Sequence, residues 1–122
     1  VINFIGDSEK LNSISLINKE LVSRLDVNHC TLETVNPDLK TLSHTYPILD
    51  CKIENWITIL PWEFSKVQTN MVEKMNRATG IITPSQFSKD SFERSNIKTP
   101  IKVIPNGIRD GLYSIIMKNT LK

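Results

Sequence analysis

Glycine is scarce in this chain of 122 residues, with four in all, and no G-x-G-x-x-G follows the first apolar run, VINFIGD. The turn that brings a backbone against a dinucleotide pyrophosphate is missing, which disfavours a nicotinamide enzyme. Cysteine is scarcer still. Cys30 and Cys51 are too few for a disulfide framework and do not form a closely spaced pair. Together with His29 and His44 they can be drawn as a four-ligand zinc set, but the short Cys or His pairs of structural sites are absent. Both thiols are therefore read as buried or partly buried, and no metal is expected.

Long apolar runs are also absent. No stretch approaches the roughly 20 residues of a membrane span, and the opening strand is followed by an acid, unlike a basic segment leading into a signal sequence. A cytoplasmic setting is the expectation. Peripheral membrane contact is left open, although no basic amphipathic helix is there to anchor it. Charge of one sign is lacking too: 15 basic residues stand against 13 acidic ones, scattered along the chain, for a net charge of +2. Nothing here forms the basic stripe that neutralises a phosphate backbone, so nucleic acid is not an expected partner.

What is present suffices for one domain. At 39% hydrophobic content the chain can bury a single core and is too short for two. Val1 to Ile5 reads as a strand ending at Gly6-Asp7. The segment from Asn12 to Leu25 then places Ile14, Ile17, Leu21 and Leu25 on one helical face, with Asn12 or Ser13 able to cap it. Cys30 to Val35 reads as a second strand broken by Asn36-Pro37-Asp38, and Leu39 to Tyr46 as a short third closed by Pro47. Trp56 to Leu60 is the next strand, and Val67, Met71 and Met75 recur at fourfold spacing in the helix behind it. Gly80 to Thr83 is a strand, Ser85 caps a helix that includes Phe92, and Ile101 to Ile104 is the last strand. Strands alternating with helices at these intervals predict an α/β fold, a Rossmann-like open and mostly parallel sheet.

In such a sheet, ligands sit outside the carboxyl ends of the strands, where loops and helix N-termini converge. That rule selects Gly6-Asp7, His44-Thr45-Tyr46, Trp62-Glu63-Phe64, Pro84-Ser85 and Asn106-Gly107. Each has a structural reading beside a functional one. His44 can be a satisfied histidine at a strand end, and Trp62 and Phe64 can be packing. Ser85 is first an N-cap and second an anion contact, while Asn106-Gly107 is first a turn. Glu63 leans toward function: an acid between two aromatics, after a proline that fixes the strand exit, is costly to desolvate unless a ligand or partner uses it.

The strings HTYPILD, LPWEF, MNRATG, IITPSQFSKDSFERSNI and IKVIPNGI, in that order over residues 44 to 108, resemble the acceptor-side domain of the family 4, or group 1, retaining glycosyltransferases of GT-B type. The opening strand and the helix SISLINKELVSRL match more loosely. Residues 26 to 43 are compressed relative to that family, and Arg109 stands where its members usually carry Asp. The resemblance implies a domain over residues 1–110, the N-terminal half of a GT-B fold, with 111–122 as the start of an interdomain linker or a disordered tail. It implies transfer of a sugar from a nucleotide-sugar cosubstrate, with no other cofactor, to a glycan or glycolipid hydroxyl. It places His44, Trp62 and Glu63 at the acceptor cleft, with Glu63 catalytic and Trp62 able to stack on a pyranose face. It places Gly6, Ser85, Asn106 and Gly107 toward the donor and the interdomain crevice.

In that family the donor is held mainly by a second Rossmann domain carrying an E-x7-E motif. No two glutamates here are eight positions apart. The resemblance therefore implies that the donor-binding domain lies outside these residues and that this chain alone is inactive. A second reading is a non-catalytic acceptor-binding subunit that pairs with a separate donor-binding chain. A third, an unrelated doubly wound domain such as a signalling receiver, needs a cluster of acids at the first strand end, and Asp7 alone does not supply one.

Overall fold

A computed structural model describes residues 1–10, 13–45, 48–49, 53–62 and 65–105. Six strands form one sheet in the order β2-β1-β3-β4-β5-β6, and all five pairings are parallel. In chain order the elements are β1 (Ile2–Ile5), α1 (Ser13–Arg24), β2 (Val27–His29), β3 (Thr41–Ser43), β4 (Trp56–Ile59), α2 (Thr69–Arg77), β5 (Gly80–Thr83), α3 (Gln86–Arg94) and β6 (Ile101–Val103). The Rossmann-like α/β sheet expected from the strand and helix spacing is thus the observed fold.

Alternation along the strands divides the core in two. Ile2, Phe4, Leu42, Ile59 and Ile82 point to one face and pack with Leu21 and Leu25 of α1. Trp56 and Ile81 point to the other and pack with Met75 of α2 and Phe92 of α3. Helices on both faces explain why the strands read as continuous apolar runs. The last turn of α3 is closed by Asn96 in the left-handed region, with Asn96 N–H bonding Glu93 O and Ile97 N–H bonding Phe92 O. This is the Schellman arrangement, and buried Ile97 shares a cluster with Phe92 as that motif favours.

The second strand lies earlier than expected. Val27 to His29 pair with Ile2 to Phe4, so β2 ends where Cys30 to Val35 was expected to begin. Residues 31–34 instead form a turn, in which Thr31 N–H bonds Thr34 Oγ1 and Thr34 N–H bonds Thr31 O. The Thr hydroxyl satisfies locally a backbone donor that a strand would have turned to its neighbour, and this competition decides the matter. The third strand is also shorter, three residues within the expected Leu39–Tyr46 span. The Asn12 cap and the tail from residue 111 lie outside the described residues.

Buried asparagine replaces a helix between β2 and β3. Asn3, fully buried in β1, donates through Nδ2 to Asn36 O at 2.7 Å and Thr41 Oγ1 at 3.2 Å. Its Oδ1 accepts from Asn36 N–H at 3.1 Å and Asn28 Nδ2 at 3.0 Å. One side chain thereby ties β1 to both neighbouring strands and to the connection over it.

Candidate functional site

The chain leaves β1 for β2 on one side and afterwards builds β3 to β6 on the other. The switch point, where ligands gather in open α/β sheets, is therefore the crevice beyond the carboxyl ends of β1 and β3. An open cleft of about 540 Å³ lies there. Gly6, Asp7, Ser8 and Glu9 line it after β1, His29 to Glu33 after β2, and Thr45 and Leu49 after β3. The lining includes the acidic residues Asp7, Glu9 and Glu33 beside apolar Ile5, Leu32 and Leu49, and neither Lys nor Arg is among its described residues.

Gly6 is where the two strand ends come closest. A Cβ at this position would stand 2.7 Å from Asn18 Nδ2 and 2.9 Å from His44 O, closer than a side chain can approach. Only glycine lets α1 and the end of β3 close over the first loop. Asp7 shapes that loop from its own side chain, with Oδ1 accepting from Glu9 N–H at 3.1 Å. Lys10 Nζ lies 4.0 Å from Asp7 Oδ2, an exposed pair of small energetic weight.

His44 is 2% exposed and sits directly after β3, its N–H bonded to Ile5 O at 2.9 Å. Its Nδ1 is 2.7 Å from Asn18 Oδ1. Burial pulls the imidazole down from its ordinary 6.5 to about 4, so the ring is neutral near pH 7. His29, at the end of β2, bonds Gly6 O through Nε2 at 2.6 Å and tilts against Phe4. The Cys30 thiol is pushed up by burial, opposed by its contact with Phe4 O, and stays protonated. Among the described residues no group of three His, Cys, Asp or Glu side chains could hold a metal.

Gly6 and His44 thus meet at the switch point, whereas Trp62 and Ser85 belong to a second cluster at the ends of β4 and β5. Ser85 is the N-cap of α3, its Oγ accepting from Ser88 N–H at 3.1 Å. Ser88 Oγ in turn donates to Trp62 O at 2.6 Å, fastening the loop after β4 to the first turn of α3. The Trp62 indole donates to Lys66 O at 3.2 Å and tilts against Phe92, with ring centroids 6.5 Å apart. Trp62 is engaged in packing on that side and does not line the cleft. Glu63, Phe64, Asn106 and Gly107 lie outside the described residues.

Asn18 and Asn3 were not singled out from the sequence, yet they organise this end of the molecule. A signal for each was present. Asn18 falls within the apolar stripe of α1, between Ile14 and Leu21, and Asn3 interrupts the apolar run of β1. A polar residue at a core position requires buried partners. No helix among the described residues is long and apolar enough to cross a membrane. Searches found no protein-family model, curated protein or solved structure that matches this chain.

Proposed function

We propose that this chain is the acceptor-binding domain of a retaining glycosyltransferase of GT-B type, related to family 4. In this reading it presents a glycan or glycolipid hydroxyl to a nucleotide sugar held by a donor domain or a separate donor-binding chain. The observation that carries the reading is the chemistry of the switch-point cleft. Carboxylates and hydroxyls over an apolar floor suit a neutral polyol, which offers many O–H donors and apolar ring faces. A diphosphate needs basic side chains or a glycine-rich backbone cradle, and the described residues of the cleft lining supply neither. The ordered motifs of residues 44 to 108 point the same way.

Transfer also requires stabilisation of charge on the departing diphosphate, where loss of one donor group costs about 3 kcal/mol. The chain alone is therefore expected to bind acceptor and to transfer nothing. Amide NMR of the chain titrated with a methyl glycoside, and separately with a nucleotide sugar, tests this. The glycoside should shift Gly6, Asp7 and Thr45 while the nucleotide sugar leaves them unmoved. A response to the nucleotide sugar alone would overturn the assignment.

A further inference from the structure

The hydrogen bonds around Asn18 fix more than its own place. Its Nδ2 lies 2.8 Å from Asp7 O and 3.1 Å from His44 O, and both are carbonyl oxygens that can only accept. Flipping the amide would set its oxygen against those two oxygens and lose both bonds, so Oδ1 must face His44 Nδ1. Oδ1 has no proton to give. Nδ1 therefore carries the proton, and in a neutral imidazole Nε2 is then a bare lone pair.

Nε2 has no hydrogen-bond partner among the described residues. The side-chain atoms there that are both sealed from solvent and unpartnered are Oγ1 of Thr58 and of Thr83. His44 is 2% exposed and is not among the residues lining the cleft. His29, at the end of β2, provides a contrast. Its Nε2 bonds the carbonyl of Gly6, so that ring is protonated at Nε2.

We infer that Asn18 is a positioning residue that locks His44 as its Nδ1–H tautomer, which leaves Nε2 a hydrogen-bond acceptor at the β1/β3 switch point. The locked ring favours a hydrogen-bond donor and repels an anion. Three elements are joined in this one device: the loop after β1 through Asp7 O, α1 through the amide, and the end of β3 through His44.

Imidazole 15N NMR of the full chain at pH 7 reads the tautomers directly. His44 should show protonated Nδ1 and unprotonated Nε2, and His29 a proton on Nε2. A His44 ring protonated at Nε2 would overturn the inference, and this needs no variant to fold. Asn18→Leu removes the acceptor, and the Nε2–H form should appear at His44 while His29 is unchanged. A His44 tautomer unaltered in Asn18→Leu would remove Asn18 from the role. The tautomer is read without ligand, so a chain that ignores glycosides would sink the functional proposal and leave this inference standing.

Discussion

From β4 to β6 the chain crosses the sheet twice, and each crossing is a helix: α2 buries Met75 and α3 buries Phe92 against Trp56 and Ile81. From β2 to β3 it crosses β1 through residues 30–40 with no helix, held by Asn3, whose amide bonds Asn36, Thr41 and Asn28. The first half is stabilised mainly by apolar area, which is non-directional and tolerates small movements. The second adds to its own apolar cluster around Phe4, Leu21 and Leu42 a set of buried hydrogen bonds, whose worth collapses when geometry is lost. The cleft lies in the second half. A crevice walled by polar backbone and short loops can present oriented donors and acceptors, which a helix packed flat on the sheet would cover.

Acid should separate the halves most. Unfolded His44 titrates near its ordinary 6.5, while in the fold burial holds it at about 4. Between those values the unfolded chain takes up a proton that the native site resists. Stability from this residue is thus complete above pH 6.5 and falls by about 3 kcal/mol on reaching pH 4. Urea melts at pH 7 and pH 4 should show this loss in the native chain and a correspondingly smaller one in His44→Gln. Equal losses in both would assign acid sensitivity elsewhere.

Asn3→Leu is the next largest break. It leaves Asn36 N–H and the Asn28 amide without their buried partner and should cost about 2 kcal/mol. Hydrogen exchange should quicken at Thr41 to Ser43 and leave Gly80 to Thr83 protected. A uniform increase over all six strands would mean the halves are one cooperative unit. Ser85→Ala, in the helical half, removes a cap and should cost only about 1 kcal/mol in the same melts. A cost above that of Asn3→Leu would reverse the comparison.

The helical half was the more legible in the sequence. Gly80 to Thr83, the Ser85 cap and the spacing of Met71 and Met75 in α2 are local signals that the fold uses locally, whereas Val67, expected in that helix, precedes its N-cap Gln68. The β2 region was misplaced because Thr31 and Thr34, good strand formers, satisfy each other in a turn, and only pairing with β1 selects Val27 to His29. Of the candidate site, Gly6 and His44 were visible from strand ends alone. Asn18 was hidden because its partners, Asp7 O and His44 O, lie 11 and 26 residues away and belong to the backbone, which has no sequence pattern.

A parallel sheet has no hairpin, so every ladder here must wait for a loop to close. Asn3 meets Thr41 across 38 residues, and residues 30–40 bring no helix to shorten that search. Loop closure then predicts that the β1–β3 pairing, which must also accommodate α1 and β2, forms later in refolding than the pairings joined by α2 and α3 alone. The expected order is scaffold first and cleft last, with the edge of β1 open until the loop over it closes.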